Sequence, residues 1–119
     1  VGRHLPPGKG QRVLDRLAGS ELLWERRIAM IATLEHLRRG SLANTFRLAE
    51  RLLGDPEDLM HKAAGWMLRE AGKRDPAALR DFLARQAPRM PRTMLRYAIE
   101  RFPAAERRRW LAVRPAARG

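Results

Sequence analysis

The sequence predicts an all-α protein assembled from short helical hairpins, and three observations carry that prediction. Apolar residues recur at spacings of three and four rather than two. β-Branched residues are scarce, so no stretch reads as a strand. Gly and Pro fall at intervals that cut the chain into seven helical stretches joined by very short turns. At 119 residues and 45% hydrophobic content, one domain with a modest core is expected.

Taken in order, Val1-Gly2-Arg3-His4-Leu5-Pro6-Pro7-Gly8-Lys9-Gly10 reads as a loop entering a first helix near 10–18. Gly8-Lys9-Gly10 is a scrap of a phosphate loop, with no strand before it and an incomplete pattern. Gly19-Ser20 and Gly40-Ser41 separate helices near 21–39 and 42–53, with both serines fitting helix caps. Asp55-Pro56-Glu57 is a start signal, because Asp can cap free N–H groups and Pro suits the first helical position. That helix runs to about Lys73. Asp75-Pro76 repeats the device and opens a helix to about Gln86. Pro91 and Pro103 start shorter helices near 92–101 and 104–112. The last three pairs, 21–39 with 42–53, 57–73 with 76–86 and 92–101 with 104–112, read as antiparallel hairpins stacked in a HEAT-like α-solenoid. An irregular helical bundle is the alternative, since the pairs share no clear sequence identity. Residues 1–112 are expected to form this single domain, and 113–119 a flexible basic tail.

Charge narrows the function. The chain carries 25 Lys and Arg against 13 Asp and Glu, a net +12, and only three of the basic residues are Lys. Such an excess points to a polyanionic partner, of which nucleic acid is the commonest. The excess is uneven: residues 1–88 hold 16 basic and 11 acidic groups, whereas 89–119 hold nine and two. There is no cysteine, which excludes a disulfide framework, a Cys-ligated metal and a thiol nucleophile. His4, His36 and His61 are too scattered for a metal site, so no metal is expected. The apolar runs fall short of a bilayer span and no secretory signal appears, which makes the cytoplasm the expected compartment.

Helical wheels show where charge and burial conflict. In 21–39, Leu23, Trp24, Met30, Ile31, Leu34 and Leu37 sweep one apolar arc, with Trp24 on the core side and Arg27 in its middle. Arg26 lies at the arc's edge. A buried guanidinium needs a carboxylate or an opening onto a ligand, so Arg27 is either half of a structural ion pair, a snorkelling side chain, or a binding residue. In 57–73, Lys62, Arg69 and Lys73 form a basic stripe with Asp58, and Trp66 borders it beside Leu59. A tryptophan there can lie against sugar, phosphate or an exposed base, or simply be half-buried. Met60, Ala63, Ala64, Met67, Leu68 and Ala71 supply the core face, and mid-helix Gly65 calls for a close crossing. After Pro91, Arg92 and Arg96 share a face with Thr93 close by, the side-chain types that contact phosphates. Arg107-Arg108-Arg109 points in several directions and is partly solvated surface.

Three segments go further. They are Leu23-Trp24-Glu25-Arg26-Arg27-Ile28-Ala29, the run His61-Lys62-Ala63-Ala64-Gly65-Trp66-Met67-Leu68-Arg69-Glu70 continuing to Gly72-Lys73-Arg74-Asp75-Pro76, and Met90-Pro91-Arg92-Thr93-Met94-Leu95-Arg96-Tyr97-Ala98-Ile99-Glu100. As an ordered set they resemble the C-terminal half of AlkD-like DNA alkylation repair proteins over about residues 1–112. The resemblance implies a HEAT-like solenoid whose concave basic face holds alkylated duplex DNA. It implies a DNA glycosylase that removes cationic N3- and N7-alkylated purines without flipping the base, with no cofactor. By the same resemblance Arg27 matches the active-site arginine and Trp66 one of two cleft tryptophans. Lys62, Arg69, Lys73, Arg92, Thr93 and Arg96 are the expected DNA contacts by position.

One departure qualifies this. The family's catalytic aspartate and other cleft tryptophan lie in a segment before the stretch that Val1-Gly2 resembles. The expectation is therefore a fragment of a longer enzyme, since a solenoid cut at its N-terminus exposes an apolar helix face. Two other readings stand beside it: a non-catalytic nucleic-acid-binding module, and a scaffold for an acidic protein.

Overall fold

A computed structural model describes residues 7–115, with side chains from Gln11 onward. Among the described residues there are seven α-helices and no strand: α1 (Pro7–Ala18), α2 (Leu23–Arg38), α3 (Ala43–Arg51), α4 (Asp58–Arg74), α5 (Pro76–Gln86), α6 (Arg92–Ala98) and α7 (Ala104–Leu111). A single 3-10 turn, Ala87–Arg89, follows α5. The expected order and pairing of elements therefore hold. The tail from Ala116 and the stretch Val1–Pro6 lie outside the described residues.

Helices are joined as the local chemistry dictates. Gly40, at φ +87°, ends α2: Ser41 N–H donates to the His36 carbonyl and Gly40 N–H to that of Leu37, each at 2.9 Å. Only glycine takes that backbone conformation cheaply. Asp75 caps α5 by accepting from Ala78 N–H at 3.1 Å, with Pro76 at the first helical position. Ser20 acts just before α2, accepting from Leu22 N–H at 3.1 Å and donating to the Glu25 carboxylate.

Three local expectations fail. α4 starts at Asp58, within a residue of the expected 57, but Asp55 does not cap it and Pro56 does not open it, because the Asp55 carboxylate is drawn to Arg26 and to Glu57 N–H. Ser41 caps nothing: Leu42 precedes α3 with no side-chain bond to the helix, and the Ser41 N–H serves the end of α2 instead. Gly8-Lys9-Gly10 is helical, since α1 begins at Pro7, where a missing N–H costs nothing.

The helices stack in two layers. α2, α4 and α6 lie side by side in one, and α1, α3, α5 and α7 line the other, giving a slab of 41 × 31 × 20 Å. Its least dimension is that of two helices in contact. Central α4 touches α2 and α6 in its own layer and α3 and α5 behind it. Its small residues allow this. A Cβ on Gly65 would stand 2.7 Å from the Met94 carbonyl and 2.6 Å from Tyr97 Cβ, so α4 and α6 cross with backbone nearly in contact. The core runs between the layers through Leu14, Met30, Leu48, Met67, Phe82 and Leu95, and all five methionines are buried. Flexible thioethers fill the gaps between unlike hairpins. In the second layer, Phe46 and Phe82 meet with ring centroids 5.4 Å apart, and Arg80 pairs with Glu106 at 2.9 Å.

No helix among the described residues is long and apolar enough to cross a membrane.

Candidate nucleic-acid interface

The layer of α2, α4 and α6 gathers the predicted residues. A groove of about 240 Å³ runs between these helices, lined by Arg27 and Ile31 from α2, by Leu59, Lys62, Ala63, Trp66 and Arg69 from α4, and by Tyr97 from α6. The i, i+3, i+4 spacing of Leu59, Lys62, Ala63 and Trp66 puts them on one face of α4. Trp66 is 36% exposed and Leu59 more so. The Gly65 crossing seats Tyr97 against α4 beside that tryptophan. Sequence reasoning missed Tyr97. The signal was available, since it lies one turn beyond Thr93, on the helix that Gly65 needed as a close neighbour.

The conflict over Arg27 is resolved by its neighbour. Arg26 takes the structural ion pair: its Nε donates to Asp55 Oδ2 at 2.7 Å, and Nη1 donates to the Ser20 and Glu21 carbonyls at 3.0 Å each. The two side chains are 13% and 4% exposed. Arg27 is exposed, with no ion pair or hydrogen bond among the described residues. The other groove cations are partly neutralised. Lys62 stands 3.6 Å from Asp58, and Arg69 donates to Glu100 at 2.8 Å while its Nε is buried without a partner. No carboxylate lines the groove among the described residues, so unbalanced positive charge in it centres on Arg27.

The remaining predicted contacts are dispersed. Lys73 lies beyond the groove, 3.1 Å from Glu70. Arg92 Nη1 donates to the Leu111 carbonyl at 2.8 Å, which ties the start of α6 to the unsatisfied end of α7. Thr93 is half-buried, and Arg96 is exposed with no partner among the described residues. Arg107 turns inward to the Phe102 carbonyl at 2.7 Å, leaving Arg108 and Arg109 exposed.

Trp24 corrects the sequence reading. It is 60% exposed rather than part of the core. Among the described residues α2 is covered by α1, α3 and α4, which bury Ala29, Met30, Thr33 and Leu37 and leave Trp24 and Ile28 exposed. A second hollow of about 480 Å³ lies beside them, and Arg27 and Ile31 line both hollows. A larger one, about 820 Å³, lies between the loops around Asp55 and Pro88 and gathers no comparable basic and aromatic set. No group of three or more His, Asp or Glu among the described residues could hold a metal ion.

A two-layered stack of helical pairs, with an aromatic and basic groove across one layer, is an α-helical repeat architecture. The particular family follows from comparison: the sequence model of the DNA alkylation repair enzymes matches residues 1–102, and the chain belongs to that family. DNA is the partner that membership implies. No curated protein and no solved structure matches the chain.

Proposed function

We propose that the groove between α2, α4 and α6 grips the backbone of duplex DNA at an alkylated purine, and that the protein serves excision of that base. The observation that carries the reading is Arg27, a guanidinium without a partner among the described residues, which lines the groove together with Trp66 in a chain of this family. The guanidinium fork suits a phosphate oxygen pair beside the lesion. The indole face of Trp66, with Tyr97 beside it, offers an apolar wall to the deoxyribose. Lys62, Arg69 and Arg96 add phosphate contacts that position without reading sequence.

The chemistry is hydrolysis of the bond between C1′ and the purine nitrogen. An N3- or N7-alkylated purine is cationic and departs neutral, leaving its charge on an oxocarbenium-like sugar that water attacks at C1′. A carboxylate stabilises that charge. None lines the groove among the described residues, and the family resemblance implies that it belongs to a segment N-terminal to the positions matched here. That same lack of a carboxylate favours a second reading, in which these residues bind duplex DNA without cleaving it.

Release of 7-methylguanine from methylated duplex DNA, measured alongside binding, separates the two. Binding that falls about tenfold or more with Arg27→Ala and Trp66→Ala supports the groove. Release abolished by Arg27→Ala supports catalysis, whereas binding without release supports the second reading. Binding indifferent to both substitutions overturns the groove itself.

A further inference from the structure

At one end of the groove an ion pair spans two helices. Gly65 and Tyr97 mark the close approach of α4 and α6, and one turn further along lie Arg69 and Glu100. Arg69 lines the groove, and its Nη1 donates to Glu100 Oε2 at 2.8 Å. The two partners differ in their surroundings: the arginine side chain is 20% exposed and the glutamate 60%. Arg69 Nε is buried, meets no hydrogen-bond acceptor among the described residues, and stands 4.0 Å from Glu70.

This asymmetry decides which partner depends on the other. A guanidinium drawn largely out of water needs an anion beside it, whereas a carboxylate standing mostly in water is rehydrated when it lets go. A DNA phosphate presents the same charge and the same pair of acceptor oxygens as a carboxylate, so it can replace Glu100 on the Arg69 fork. Lys62 differs. It and Asp58 are both well exposed, 3.6 Å apart on one helix, and Lys62 turns to a phosphate at little cost. We propose that Glu100 is a positioning residue that holds Arg69 in place of a phosphate, so that a duplex engages Arg69 only by displacing the carboxylate. Glu100 thereby sets how tightly the groove holds DNA, while Arg27 stays open. The inference rests on the reading of the groove as a DNA site.

Fluorescence anisotropy with an unmodified duplex tests it on the whole chain and its variants. Glu100→Gln keeps the shape and removes the charge. It is expected to raise affinity about threefold or more, with the fold retained by circular dichroism. A pair that merely braces α4 against α6 predicts the opposite sign, since loosening the groove weakens binding. The gain is expected to pass through Arg69, so that Glu100→Gln changes affinity little once Arg69→Ala is in place. Unchanged or lower affinity of Glu100→Gln overturns the proposal. So does an equal gain without Arg69, which is a general effect of net charge. Arg27→Ala, measured in parallel, separates this failure from that of the groove. A loss of about tenfold there, with no gain from Glu100→Gln, overturns the exchange alone. Indifference to Arg27→Ala overturns the groove and the exchange with it.

Discussion

Two adjacent arginines on α2 have opposite fates, and the difference lies in which neighbour each meets. Arg26 reaches the Asp55 carboxylate and two carbonyls at the start of its own helix, so it locks the loop before α2 to the loop before α4. Removing the carboxylate strands a guanidinium that is largely out of water. Asp55→Asn is therefore expected to lower stability by about 3 kcal/mol, read from the denaturant midpoint. His36 supplies a pH dependence. Its Nδ1 accepts from the Asn44 amide at 2.8 Å, which requires the neutral ring. Burial, with the charge of Arg39 adding to it, holds its pKa below the ordinary 6.5. The unfolded chain thus binds the proton more readily than the folded one. The contribution is fully present above pH 6.5 and is lost as pH falls from there through the folded value. Urea midpoints compared at pH ~7.5 and ~5.5 should show this loss, and His36→Gln should reduce it.

Among the elements, α4 is the one on which the others depend. It touches both neighbours in its layer and two helices behind it, and it does so by carrying Ala63, Ala64, Gly65, Ala71 and Gly72 on its buried side. Gly65→Ala forces a Cβ into the Met94 backbone, and the crossing of α4 and α6 must open. The expected loss is about 1–3 kcal/mol of stability, with weaker DNA binding because Tyr97 and Trp66 share that crossing. Differential scanning calorimetry and duplex titration of one variant check both. In the second layer, the ion pair from α5 to α7 holds the Glu106 carboxyl below its ordinary range, chiefly through the hydrogen bond from Arg80. It connects the last helix to a stack that α7 otherwise touches lightly.

For the molecule as a whole, charge and layering act together. Within Arg89–Pro115 both acidic residues are already engaged, Glu100 by Arg69 and Glu106 by Arg80, so the positive excess of that end faces solvent uncompensated. Duplex binding should weaken steeply with salt, and Arg96→Ala should reduce the slope of log K against log salt by about one. Fluorescence anisotropy across a salt series checks it. An unchanged slope would remove Arg96 from the contact surface.

Helix order, hairpin pairing and the excess of positive charge were legible in the sequence because they rest on local rules or on composition: Pro and Gly punctuation, Asp75 as a cap, apolar spacing, and a simple count of arginine. The buried face of α4 was legible too, since one helix's own periodicity defines it. What the tertiary structure alone decided were facts that need a second element. A wheel cannot say how many neighbours cover an arc, so Trp24 was expected in the core and is exposed. It cannot say which of two adjacent arginines meets a carboxylate 29 positions away, so Arg26 and Arg27 were distinguished only when Asp55 arrived from another loop. Tyr97 joined the groove only through the contact of two helices. Periodicity is a property of one helix, whereas burial, pairing and a shared groove are properties of helices in contact.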